Sequence, residues 1–428
     1  MIMSYDISRY EVEKLDAYAS IQPGFAFKSE RFTDNLDDIP LVKGENVHQG
    51  YIDWPRAKHW PLDEYDSLSR YHLVAGDIVL AMDRPWVTAG LKWSYIKLHD
   101  PKSLLVQRVA RIRAKGKLDQ DYLRHIISSD YFANYLQPIV TGINVPHISG
   151  KQIGDFRIPI PDLGVQRKIA AILSAYDDLI ETNKRRIALL EGMAEEIYRE
   201  WFVRMRFPGH KKTKFVKGVP EGWEIKRLGD ILQLAYGKAL TESDREPGEF
   251  PVYGSGGIIG SHSRPFVKGK GIVVGRKGNV GAVYFSDRGF FPIDTVFYVI
   301  SALPLSFQFF LLRTMNFINN DAAVPGLNRN QAYANQLFYP GDKLIENFAQ
   351  VADPIFLMKH QLVQQNSTLI KTRNLLLPRL ISGKLSVADL DIQFPPSMRE
   401  EIKGVDQKEQ ELRVEPQPPA TSQEASKP

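Results

Sequence analysis

Glycine recurs at every third position in GRKGNVG (residues 275–281), directly after an apolar run, with Arg276, Lys277 and Asn279 between. Backbone amides in tight glycine turns and basic side chains both hold phosphate oxygens, so the stretch suits a phosphate-gripping loop. It reads as well as a hairpin with tight turns, and the sequence leaves both open. The other chemistries fail on spacing. No G-x-x-x-x-G-K-[ST] phosphate loop occurs, and GSGGIIG (254–260) carries Ile259 where a dinucleotide fingerprint needs glycine. The nine histidines are scattered, with no i, i+4 pair beside a carboxylate cluster, so metal-ligand spacing is absent. Catalysis by this chain, or a metal or cofactor held by it, is therefore not expected.

What remains is a set of basic, amide and aromatic side chains in expected loops. In the first half these are Lys28; Lys43, Asn46 and His48; Arg84, Trp86 and Lys92; and Asn144 and His147. In the second half they are Lys238; Ser255, His262 and Arg264; Arg276, Lys277 and Asn279; and Asn328 and Arg329. Arg, Lys, Asn and Gln read base edges, while Lys, Arg, Ser and backbone amides fix phosphates. Any one of them is an ordinary surface group, and their corresponding placement in both halves is what points to DNA.

That correspondence comes from an internal repeat. VPHISGKQIGDFRIPIP (145–161) matches VPGLNRNQAYANQLFYP (324–340) without a gap, and the same spacing continues for more than forty residues beyond. Upstream, YEVEKLDAY resembles WEIKRLGDI, and GDIVLAMDR resembles GKGIVVGRKG, at offsets that drift as variable loops would make them. Each half reads as a strand-rich module followed by one long helix. GDIVLAM, SYIKL, LVQRVARI, GIVVG, AVYFS and DTVFYVI are the expected strands; DQDYLRHIISSDYFANYL and LPLSFQFFLLRTMNFI are the expected helices inside the modules.

In the first long helix, apolar positions step alternately by four and three through Ile169, Leu173, Tyr176, Ile180, Asn183, Ile187, Leu190, Ala194, Ile197 and Trp201. That is a heptad seam, and a lone Asn inside it is the kind of polar residue that fixes register. The second copy offers Phe348, Val351, Ile355, Met358, Leu362, Leu369, Leu376 and Leu380, with Pro354 expected to start or kink the helix and Pro378 to end or bend it. The repetition favours pairing of the two. The expected divisions are a first module over 1–160, a helical region over 161–207, a second module over 208–340, a second helical region over 341–391, and a disordered Pro-, Glu-, Gln- and Ser-rich tail over 392–428.

The bulk properties agree. The chain has 428 residues, no cysteine and a net charge of +5. Absence of disulfides fits a reducing compartment, here the cytoplasm, and no apolar run is long enough for a bilayer. The excess charge permits a polyanionic partner without demonstrating one.

GWEIKRLGDI, VPHISGKQIGDFRIPIP leading into QRKIAAILSAYDDLIETNKRRI, and LIKTRNLLLPRLISGKL, in this order and spacing, resemble the specificity (S) subunits of type I restriction-modification systems. The resemblance implies an α+β chain with two tandem target recognition domains, each α/β and followed by a long helix, the helices pairing as an antiparallel coiled coil. Each domain would read one half of a bipartite double-stranded DNA target. The helices would set the unread spacer and dock two modification (methyltransferase) subunits, with restriction subunits joining. S-adenosylmethionine, ATP and Mg would then belong to those partners. Two other classes stay open: a stand-alone enzyme, against which the missing motifs argue, and a coiled-coil scaffold or DNA-binding module outside restriction-modification.

Overall fold

The computed structural model describes residues 10–87, 90–140, 147–317 and 326–398. The chain divides into two compact units, one of residues 1–181 with 367–428 and the other of residues 182–366, so the division falls inside both long helices.

In the first unit the strands Ala19–Pro23, Val109–Ala114, Ile78–Ala81 and Trp93–Tyr95 form an antiparallel four-stranded sheet in that order. Beside it lies a second four-stranded sheet, His59–Trp60, Ile39–Val42, Ser103–Leu105 and His72–Leu73, whose inner pair is parallel with Leu104 opposite Leu41. Ile78–Ala81 is buried at every position because both its faces are covered. Leu80 and Ile78 pack with Tyr122, Leu123 and Ile126 of the helix Gln120–Ile127, while Val79 packs with Val42, Leu105 and Val109. A strand covered on both sides loses polar alternation and reads as a continuous apolar run.

The second unit repeats the plan. Gln233–Tyr236, Val296–Ile300, Gly271–Gly275 and Val283–Ser286 form an antiparallel sheet in the equivalent order. The companion sheet, Gly257–His262, Phe250–Gly254 and Phe291–Pro292, again holds one parallel pair, Val252 opposite Phe291. Each unit is closed by a short antiparallel pair, Val12–Lys14 with Arg157–Pro159 and Glu224–Arg227 with Gln336–Tyr339. Those four strands carry the sequence matches YEVEKL/WEIKRL and FRIPIP/QLFYP. The repeat therefore records the segments that close each module, together with the strand that centres it.

Two expected elements are divided. DQDYLRHIISSDYFANYL forms two helices, Gln120–Ile127 and Asp130–Val140, because the hydroxyls of Ser128 and Ser129 donate to backbone carbonyls at the break. LVQRVARI spans two strands, Ser103–Leu105 and Val109–Ala114, separated at Arg108, whose φ of 67° cannot continue a strand.

The long helices are Leu163–Tyr198, extended by one π turn to Val203, and Asp342–Ile381. Within each unit they run antiparallel. In the first, Ile169, Ala170 and Leu173 pack with Leu377, Leu380 and Ile381, and Arg373 pairs with Asp177. In the second, Ala194 and Tyr198 pack with Ile345, Phe348 and Ala352, and Lys359 pairs with Glu191.

The seam of the second helix differs from expectation at two positions. Val351 and Met358 are 43% and 46% exposed, whereas their neighbours Ala352 and Lys359 face the first helix. The buried or half-buried positions along it include Ile345, Phe348, Ala352, Ile355, Lys359, Leu362, Asn366 and Leu369. A small Ala and a Lys that reaches Glu191 hide in a search for large apolar residues. Pro354 does not start a new helix and Pro378 does not end one, since a single helix runs through both. Each forfeits a backbone bond, and burial of Ala352 and Leu377 close by holds the chain helical across the gap.

The expected disorder from residue 392 does not begin there. Ile392 and Phe394 pack on the first core, Met398 is buried, and the Ser397 N–H donates to Asp178. Apolar residues among the prolines anchor this stretch. Residues 399–428 lie outside the described residues.

Candidate nucleic-acid interface

GRKGNVG is a hairpin. Gly275 N–H donates to the Ala282 carbonyl at 2.8 Å, and Gly281 N–H returns to the Gly275 carbonyl at 2.9 Å. A Cβ on Gly275 would stand 2.0 Å from the Asn279 carbonyl oxygen, and Gly278 and Gly281 have φ of 81° and 76°. The glycines thus serve the turn itself, while Lys277, Gly278 and Asn279 are exposed at its tip.

The hairpin is tied to the segment before a short capped helix. Leu327 N–H donates to the Arg276 carbonyl at 2.7 Å, and Lys277 bridges Gly326. Asn328 then caps Arg329–Ala334, its side-chain oxygen accepting from Asn330 N–H at 2.9 Å. Consequently Arg276 and Arg329 come together over one ring, each guanidinium carbon 5.1 Å from the centroid of Tyr236. The ring faces hold both cations by cation–π attraction, and Tyr236 is half-exposed. Ser255 sits against the same turn, its Oγ 2.9 Å from where a Cβ on Gly278 would be. Lys238, exposed two residues after Tyr236, is held through its backbone by the Pro292 carbonyl.

His262 and Arg264 belong to a different group. His262 Nδ1 accepts from Glu246 N–H at 3.1 Å, and the Ser263 hydroxyl donates to the Glu246 carboxylate at 2.6 Å. No contact joins them to Arg276 among the described residues.

The first unit has the same bridge with other chemistry. Ile148 N–H donates to the Met82 carbonyl at 2.8 Å, Asp83 bridges His147, and Ser149 caps Gly150–Gly154 in a capping box with Gln152. Met82, Asp83 and His147 therefore stand where the second unit has Arg276, Lys277 and Gly326. The Asp83 carboxylate takes both His147 Nδ1 and Arg108 Nη1, the latter at 3.1 Å. Arg84, next in sequence, is exposed with φ of 44°. Trp86 lies in the small ladder of Trp86–Val87 with Gly90–Leu91.

Other proposed contacts of this unit have structural duties. Asn46 is 1% exposed, accepts from Lys43 N–H and donates to the Leu41 carbonyl, so its amide is spent on the loop. Lys92 is buried, its ammonium donates to the Gly44 carbonyl, and burial pushes it down from its ordinary range. Both shape the 43–52 loop and neither offers a free head group to DNA. His48 stacks on Tyr51 at 4.8 Å; Lys43 lies over Phe32 and pairs with Glu45; Lys28 is exposed. Asn144 lies outside the described residues.

Two residues of the site are not marked by their place in the sequence. Arg108 hid inside an apparent strand, and only its turn geometry brings it to Asp83. Tyr236 opens the stretch YGKALTESDR, where an aromatic beside Gly-Lys was the available signal. No group of three or more His, Asp or Glu among the described residues could hold a metal ion, and no described helix is long and apolar enough to cross a membrane.

The family model of the type I restriction modification DNA specificity domain matches residues 8–192 and 220–331, well over half of the chain. The MjaIX specificity subunit of Methanocaldococcus jannaschii is 25% identical over 330 residues, covering 66% of this chain and 73% of that one. The EcoAI specificity subunit of Escherichia coli is 34% identical over 160 residues, 37% of this chain and 26% of that one. A crystal structure of the S subunit of a type I restriction-modification system from M. genitalium aligns over 87% of this chain and 96% of that one, at 16% identity and a TM-score of 0.49. With its two matched segments lying one in each repeat, the chain belongs to the type I restriction modification DNA specificity domain family.

Proposed function

We propose that this chain is the non-catalytic DNA-specificity subunit of a type I restriction-modification complex, each unit reading one half of an asymmetric bipartite target. The observation that carries the reading is the duplicated bridge. One backbone frame presents Arg276, Lys277 and Arg329 in one unit and Asp83, Arg84 and His147 in the other. Equal frames with unequal side chains suit two half-sites of different sequence, since specificity resides in the base-edge contacts and positioning in the backbone ones.

The antiparallel helices set the spacer, and their exposed apolar residues, Leu179, Leu189, Met193, Leu357 and Leu375 among them, offer the docking surface for two methyltransferase subunits. S-adenosylmethionine, ATP and Mg act in those methyltransferase and restriction subunits. The complex works in the cytoplasm. The divisions at 160, 207, 340 and 391 mark recognition domains and helical regions.

The test is duplex binding by the full chain, alone and with its methyltransferase partner, against salt. Specific affinity that rises with the partner and falls about tenfold or more for Arg276→Ala with Lys277→Ala supports the reading. Unchanged binding by that variant removes the hairpin from the interface, and an absence of duplex affinity with or without the partner favours a scaffold.

A further inference from the structure

Between the first long helix and the second module runs RFPGHKKTKFVKGVP (206–220), which holds five lysines or histidines and one arginine and no acidic residue. It is a built segment. Phe207 is buried, its ring 5.5 Å from that of Trp223, and His210 Nδ1 meets the Phe207 carbonyl at 2.9 Å. Gly209, with φ of 91°, caps the turn His210–Lys212, and a two-stranded ladder follows, Phe215–Val216 with Val219–Pro220. Lys217 and Gly218, with φ of 50° and 82°, form its tip.

On this frame Lys211, Lys212, Lys214 and Lys217 are all exposed, and no ion-pair partner of theirs occurs among the described residues. The contrast with the preceding turn is direct. Arg204 is neutralised by Glu196 and Glu200, and Arg206 lies 3.7 Å from Glu200. Charge is thus balanced up to Arg206 and uncompensated after it. Trp201, Arg206, Phe207 and His210–Lys212 also line an open depression of ≈ 510 Å³. Four unpaired ammonium groups held on a rigid turn and hairpin cost self-repulsion, which a polyanion relieves. Lysine, a flexible point charge, suits phosphate without reading bases.

We propose that this strip is a sequence-independent phosphate-binding site for the backbone of duplex DNA, separate from the reading loops. The proposal rests on the DNA-specificity reading above. It makes the strip a source of affinity and not of discrimination.

The experiment titrates the full chain with a fluorescently labelled mixed-sequence DNA duplex over a series of KCl concentrations. The variants are the fourfold Lys211→Ala, Lys212→Ala, Lys214→Ala, Lys217→Ala chain and the same four positions changed to Arg. Counterion release predicts that the alanine chain loses about three to four from the slope of log affinity against log salt, roughly 0.9 per phosphate contact. The arginine chain keeps the wild-type slope, and thermal melting of both matches the wild type. A wild-type slope in the alanine chain overturns the strip alone, as does an unchanged slope with lost co-purification of the methyltransferase, which gives the strip a protein partner. Failure of the wild type itself to bind duplex at any salt overturns the DNA reading and the strip together.

Discussion

At the scale of single residues, Tyr236 is the most informative position. It carries Arg276 and Arg329 on one ring, each contact being worth about 0.5–1 kcal/mol at an exposed site. Tyr236→Ala is expected to weaken duplex binding about five- to thirtyfold while Tyr236→Phe leaves it within a factor of about two, as a fluorescence titration would show. A second prediction concerns the buried cluster of Arg124, His125, Ser174, Asp177 and Arg373 in the first unit. Burial, aided by the neighbouring Arg124 guanidinium, pushes the His125 imidazole down to about 3. Burial would raise the Asp177 carboxyl, but the charges of His125, Arg373 and Arg124 around it hold it below the carboxylate range. Both groups bind fewer protons folded than unfolded, so stability is full above about pH 6.5 and falls as pH drops toward 3. Melting temperature measured against pH should decline over that window, and less steeply in His125→Gln. Residue roles were the least legible part of the sequence. Asn46 and Lys92 look like DNA contacts by type, and only burial shows them spent on carbonyls, since side-chain type does not reveal which polar group a loop closes upon.

At the scale of elements, the hairpin and the helix seam can each be tested. Gly275→Ala places a Cβ on the Asn279 carbonyl, so it should open the hairpin and reduce DNA affinity without unfolding the module, measurable by titration beside circular dichroism. In the seam, the Asn183 amide donates to Asn366 Oδ1 at 2.9 Å and Gln365 Oε1 at 3.2 Å, and both asparagines are buried. Asn183→Leu removes one partner of a buried polar pair and should cost about 1–3 kcal/mol in denaturant unfolding. Asn183→Leu with Asn366→Leu should recover part of that loss, since two apolar side chains then meet where the single change leaves an amide facing a leucine. The heptad step makes Asn183 legible in the sequence itself, because a 3.5-residue period survives in any alphabet of side chains. Ala352 and Lys359 were not legible, because their inward placement depends on what the first helix presents: the cluster with Ala194 and Tyr198 in one case, and Glu191 in the other.

At the scale of the whole molecule, the duplication was written in the sequence where backbone closure constrains it. The second closing strand of each module and the capped helix before it match without gaps, and the first closing strand matches at a shifted offset, whereas the recognition loops share only a frame. The same physics explains both facts. Closing strands are fixed by pairing and burial, and loops answer to the ligand. If the chain supplies specificity, exchanging residues 208–340 for the corresponding module of a relative should replace one half of the target and leave the other. Removing one helical turn within residues 184–196, together with its antiparallel counterpart, should change the spacer and neither half-site.

The most direct measurement is a map of methylated sites in the genome of a host that carries the partner subunits, with and without this chain. A bipartite, asymmetric motif methylated only when the chain is present is the predicted result. An identical methylation map in its absence would contradict the assignment.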